Sequence, residues 1–277
     1  MMKMGILLLF MVACLAHASE VTLDKHIMPK YYQKRAEPVV NIALIYYGDY
    51  YTPEDLLRVQ NLFEKRFHLA TDRALTVNTV FSQIIPFKNQ LSDFPDYRQE
   101  YVTAPDRLQR LWYYDNVGAA VIKEVYDQVK ADLKKIDYLL VVTGAQFDAL
   151  GFASGRVGIT ENPMEIAWGL KDGGRVEFVS DERVVDELIH EMGHTMFLGH
   201  ASSQCQKPGL SIEEKERCCE ESPAKNDVMS YCRSRNKVDA NFFYGFEACN
   251  LRTIKEKIIP ALLKGGEWAV KNRESCT

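Results

Sequence analysis

Three of the chain's six histidines fall within eleven residues, in 186-DELIHEMGHTMFLGHASS-203. His190 and His194 are four apart, so on a helix they lie one turn apart on one face, offset by roughly 40°. Two imidazoles so placed can both reach one zinc ion, which takes nitrogen ligands at about 2 Å. Glu191 follows the first histidine and points beside that metal, where the base for a metal-bound water must sit. His200 cannot join them on a continuous helix, because six residues past His194 it would be rotated by roughly 240°. The chain must therefore break after His194 and turn back, and Gly199 can take a positive φ without steric cost. A helix, a break and a returning histidine would give three protein ligands and an open fourth position for water. That is the catalytic rather than the structural arrangement of zinc.

The elements that would hold these residues read as an alternation of strands and helices. Residues 39–47 (VVNIALIYY) are a nearly continuous apolar run, suited to a strand buried on both faces. Thr52-Pro53-Glu54-Asp55 opens a helix with a hydroxyl N-cap, a proline in the first turn and acids at the positive end. Leu56, Val59, Phe63 and Phe67 give that helix a core face, and His68 near its end reads as a structural or solvated residue rather than a ligand. Residues 75–85 form a second strand. The polar, proline-punctuated stretch to about 116 is long for a bare loop, so 107–114 is expected to be a short helix. Val117, Val121, Val125, Val129 and Leu133 mark a firm helix, followed by strands at 136–143, 152–160 and 175–180. The histidine helix comes directly after, capped by Ser180 or Asp181.

This order predicts an α/β fold: a mixed, mostly parallel five-stranded sheet with backing helices and an active-site helix, plus a smaller disulfide-stapled C-terminal subdomain. The expected organisation is a leader over 1–18, an N-terminal segment over 19–38, and one catalytic domain over 39–277. That domain divides into an upper part to about 199 and a lower part from about 200.

The wider composition sets the context. The net charge is −4, with 26% charged residues and no Lys/Arg-rich run, which leaves nucleic acid and anionic membrane surfaces aside as partners. Lys3, the apolar run 5–15 and Ala16-His17-Ala18 have the three ordered parts of an export signal. The run is too short to span a bilayer and no second one follows, so no transmembrane segment is expected. A looser second reading takes Met11-Val12-Ala13-Cys14 as a lipobox that would leave Cys14 acylated. Either cut leaves Cys205, Cys218, Cys219, Cys232, Cys249 and Cys276. An even number in the last third of the chain implies disulfides, and hence a secreted or periplasmic location. The absence of any CxxC pair speaks against a second metal cluster.

In these motifs the sequence resembles the metzincin zinc endopeptidases, closest in pattern to the adamalysin, astacin and serralysin types. Their signature, HExxHxxGxxH followed by a methionine turn, is matched by His190, Glu191, His194 and His200, then by 227-DVMSYC-232. Met229 matches the turn methionine, which in the family lies beneath the zinc site. Tyr231 coincides with the tyrosine that astacins and serralysins place near the metal, where it stabilises the oxyanion. Residues 137–148 (DYLLVVTGAQFD) with Gly151-Phe152-Ala153 look like the third strand and the entry to the edge strand. The pattern departs from the family at Phe197, where the family has glycine. Either the helix runs longer and turns at Gly199, or Phe197 itself becomes left-handed at a cost of roughly 1–2 kcal/mol. The first costs less and is the expectation. Were His200 misplaced, Glu213, Glu214 or Glu216 could supply an acidic third ligand, as in gluzincins.

The resemblance implies one catalytic Zn2+ and a protein or peptide substrate laid along the edge strand 152–160. Residues 233–246 would wall the pocket beyond the scissile bond. Two alternatives stand beside an endopeptidase: an inactive metzincin-like binding module, which would have no need of Glu191, and a peptide-trimming exopeptidase.

Overall fold

The structure, a computed structural model, describes residues 31–47, 52–85, 125, 128, 129, 136–143, 151–154, 157–161, 164–166, 176–178, 180–234 and 237–267. Between 151 and 178 it describes the course of the backbone. The leader, Cys14, the short helix expected at 107–114 and most of the helix expected over 117–133 lie outside these residues. Of that last helix, Val125 and Val129 are helical and buried.

In chain order the elements are β1 (Tyr31–Tyr32), β2 (Val39–Tyr47), α1 (Pro53–Ala70), β3 (Thr76–Ile85), β4 (Tyr138–Thr143), β5 (Gly151–Ser154), β6 (Val157–Glu161), β7 (Met164–Ile166) and β8 (Val176–Phe178). There follow α2 (Asp181–Thr195), α3 (Ile212–Glu221), α4 (Ala248–Thr253), α5 (Ile259–Lys264) and β9 (Gly266–Glu267). A π-helical turn, Ile254–Ile258, joins α4 to α5 ahead of Pro260, whose missing N–H disturbs regular helix pairing there. No described helix is long and apolar enough to cross a membrane.

The main sheet has the order β3-β2-β4-β6-β5. Its first four strands run parallel, and β5 returns antiparallel to β6, leaving β5 on the outer edge. The central position of β2 accounts for its composition. From Ile42 to Tyr47 every side chain is buried, because helices or loops cover both faces of an inner parallel strand. Two expectations are corrected here. The single strand foreseen over 152–160 is a hairpin, β5 and β6, in which Ser154 pairs with Val157. The strand foreseen at 175–180 shortens to β8 and pairs with β7 in a separate two-stranded ribbon.

Helix α1 begins as its sequence prescribes, with Thr52 and Asp55 capping each other reciprocally. Its buried face, Val59, Phe63 and Phe67, shares one apolar cluster with Leu44 and Tyr46 of β2 and with Val185, Leu188, Ile189 and Met192 of α2. Arg58 of α1 also pairs with Asp181 at the start of α2. Helix α2 is thus held against the sheet and α1 along its whole length. The first and last described strands, β1 and β9, pair antiparallel, and Arg35 forms an ion pair with Asp137 ahead of β4.

Candidate metal centre

Helix α2 carries His190 and His194 one turn apart, as their spacing requires. It then ends at Thr195, earlier than expected, and the residue that becomes left-handed is Phe197 (φ 64°). Gly199 is not among the residues of positive φ. The expectation of a turn at Gly199 is therefore wrong, and the hydrogen bonds show why. Phe197 N donates to His194 O at 2.9 Å and Leu198 N to Gly193 O at 3.0 Å, which satisfies two of the orphan carbonyls at the helix end. The Phe197 side chain packs against the core cluster at the same time. Together these gains outweigh a left-handed cost of about 1–2 kcal/mol.

The early exit returns His200. Ala201, immediately after it, bridges to the segment 227–231: Ala201 N donates to Met229 O at 3.1 Å, and Tyr231 N donates to Ala201 O. This short bridge lays the Tyr231 ring against His200, with centroids 4.0 Å apart. The three imidazoles now converge. Nε2 of His194 is 3.2 Å from Nε2 of His190 and 2.9 Å from Nε2 of His200. Glu214, one of the alternative third ligands, instead caps its own helix by accepting from Ser211 N.

The donor set suits a cation. Nδ1 of His190 is 2.8 Å from the carbonyl oxygen of Val228, and Nδ1 of His194 is 3.2 Å from that of Leu198. A carbonyl can only accept, so both Nδ1 atoms hold the proton and both Nε2 atoms face inward as lone pairs. Burial, reinforced by the charge of Arg233, holds the His190 imidazole well below its ordinary pKa, so it stays neutral. Neutral lone pairs about 3 Å apart repel unless a positive ion lies between them. Tetrahedral zinc with nitrogen at about 2.0–2.1 Å would space its ligands by about 3.3 Å, close to what is observed.

Met229 is fully buried, and its sulfur lies against Gly193 of α2, the residue before His194. A Cβ at Gly193 would stand 2.3 Å from that sulfur, so the methionine can lie there only because residue 193 has no side chain. Asp227 holds the turn: Oδ1 accepts from Met229 N at 2.7 Å, and Oδ2 accepts from Glu247 N and from the Asn250 amide. Burial outweighs these hydrogen bonds and lifts the Asp227 carboxyl to about 6. Glu191 is buried on α2, and Tyr231 is half-exposed. Burial and the nearby Glu191 carboxylate raise the Tyr231 pKa, so its hydroxyl remains protonated.

Two disulfides bracket the centre. Cys205–Cys218 anchors the short 3-10 turn Ser203–Gln206 after His200, and Cys219–Cys232 anchors the residue after Tyr231. Both end on neighbouring cysteines of α3. Cys249 is disulfide-bonded too. Of the residues expected to wall a pocket, Tyr244 and Phe246 are core, Tyr244 bonding to Ser234 through its hydroxyl, whereas Phe242 is exposed.

Sequence reasoning missed Gly193, Asp227 and Arg233. A glycine inside a helix was a usable signal, since it costs about 1 kcal/mol against alanine and so implies a packing reason.

No family model matches the chain, and no curated protein matches its sequence. Among solved structures it is similar to archaemetzincin from Methanopyrus kandleri, at 18% identity and TM-score 0.43 over 83% of this chain and 98% of that one. It is similar also to a zinc-dependent peptidase from Methanocorpusculum labreanum, at 14% identity and TM-score 0.35 over 76% and 98%. A third is OgpA from Akkermansia muciniphila, at 17% identity and TM-score 0.30 over 65% and 52%, whose inactive form was crystallised with an O-glycopeptide substrate. These are partial likenesses of backbone course.

Proposed function

We propose that the chain is an exported zinc-dependent peptidase of metzincin type that cleaves within extended peptide substrates. The observation that carries this reading is the meeting of three inward-facing Nε2 atoms, from His190, His194 and His200, with Glu191 on the same helix and Tyr231 against His200. When bound by these nitrogens, zinc supplies a Lewis acid that acidifies water and polarises a carbonyl. Glu191 takes a proton from the attacking water on its carboxylate and passes it to the leaving amine. Tyr231, kept protonated, donates its hydroxyl to the carbonyl oxygen as negative charge develops there. The outer side of β5, which no other described strand pairs, offers backbone groups with which an extended substrate can pair, fixing its register beside the histidines. Export rests on the leader sequence and is consistent with the disulfides.

The test compares the oxidatively folded protein with Glu191→Ala, measuring zinc content and cleavage of a fluorogenic peptide pool. Close to one zinc per chain is expected in both, with cleavage reduced by about 10²–10⁴-fold in the variant. Zinc in both and cleavage in neither would favour a binding module. No zinc in either would defeat the reading.

A further inference from the structure

One side chain links the two halves of the centre without touching the point where the imidazoles meet. Arg233, two residues beyond Tyr231, is buried with 2% of its side chain exposed. Its Nη2 donates to Glu187 Oε1 at 2.8 Å, and Asp186 Oδ2 lies 3.6 Å from its Nε. Both carboxylates belong to α2, one turn before His190. The same Nε donates to the carbonyl oxygen of Val228 at 2.8 Å. That carbonyl also accepts the Nδ1 proton of His190 at 2.8 Å.

An ion pair this deeply buried is a poor device for stability, because desolvation cancels most of its attraction. It is a good device for geometry. A guanidinium is planar with donors in fixed directions, so anchoring it on α2 fixes the point at which Nε meets the Val228 oxygen. The carbonyl then stands where only the Nδ1–H tautomer of His190 satisfies it. With Nδ1 so engaged, the bare Nε2 is directed at the other two histidines.

We propose that Arg233, held by Glu187 and Asp186, is a positioning residue for the metal centre, acting through the Val228 carbonyl to set the tautomer and aim of His190. This rests on the zinc reading of the same three histidines and adds to it a determinant outside the ligand set. Lysine cannot replace it, since one ammonium on a flexible stem cannot make the Nε and Nη2 contacts together.

The experiment uses the full protein, wild type and Arg233→Lys, with Glu187→Gln as a milder variant and Arg35→Lys, which alters the ion pair to Asp137, as a control. Zinc affinity is read by competition with a chromophoric chelator, and the His190 tautomer by long-range nitrogen–proton correlation on the metal-free form. Metal-free wild type should show His190 protonated at Nδ1 alone. Arg233→Lys should bind zinc about 10–100-fold more weakly and show a population protonated at Nε2. Glu187→Gln should move both readouts the same way by less, and Arg35→Lys neither. A folded Arg233→Lys with wild-type affinity and a single Nδ1–H tautomer would overturn the proposal. So would a wild type protonated at Nε2. If Arg233→Lys does not fold, Glu187→Gln decides by the same two readouts. If wild type binds no zinc, the zinc reading fails, and the tautomer still decides the role of Arg233.

Discussion

A methyl group at position 193 would have nowhere to go. The sulfur of Met229 fills that space, with Phe246 close behind it. Gly193→Ala must therefore push the Met229 sulfur away from α2 next to His194, an overpacking change of about 1–3 kcal/mol. We expect a lower melting temperature together with weaker zinc retention, read by thermal denaturation and chelator competition. A variant that melts lower but keeps its zinc affinity would show that the methionine supports the fold alone. Legibility at this scale follows the kind of information each residue carries. His190, Glu191 and His194 are readable because their chemistry and their spacing on a single helix suffice. Gly193 owes its role to Met229 and Arg233 to Glu187, each pair distant in the chain, and the sequence around either residue does not reveal the partner.

Among the elements, α2 and the methionine turn depend on how they end and how they are tethered. The exit of α2 is not legible in sequence, because backbone strain at Phe197 can be weighed locally, whereas the hydrogen bonds and core packing that offset it cannot. The hairpin of β5 and β6 was hidden for a similar reason: an apolar run reads alike as one strand or as two arms. By contrast, the buried run of β2 and the capped start of α1 are local properties and were fully legible. The tether at Asp227 has a pH signature. Its folded pKa, about 6, lies above the ordinary carboxylate value of 3.8, so the folded state holds this proton more tightly than the unfolded one. The associated stability is complete below about pH 4 and is lost as pH rises through 6, by up to about 3 kcal/mol. Asp227→Asn, which cannot titrate, should lack this loss. Chemical denaturation at pH 4.5 and 6.5 should find the variant gaining on wild type at the higher pH. An unchanged gap would mean that Asp227 is ionised throughout.

At the scale of the whole molecule, the sheet, α1 and α2 form a core that needs no crosslink, while the segments bearing His200 and Tyr231 are clamped to α3 by two disulfides. Each disulfide spans 13 residues, a loop for which chain entropy gives about 3 kcal/mol. Mild reduction should therefore loosen the third histidine before it unfolds the sheet. We expect zinc to pass to a chelator at least about tenfold faster after reduction, with far-ultraviolet dichroism nearly unchanged. Equal transfer rates would mean that the Ala201 bridge holds His200 unaided.

The adjacency of Cys218 and Cys219 has a consequence for how the chain reaches this state. Four thiols can pair in three ways, and the sulfurs of Cys205, Cys219 and Cys232 already lie within 4.8 Å of one another. Exchanging Cys218 for Cys219 as partners keeps both loops nearly the same length, so loop-closure entropy hardly discriminates between those two isomers. Selection falls instead to the folded surroundings of α3, and to any thiol–disulfide exchange that lets a wrong first bridge be undone.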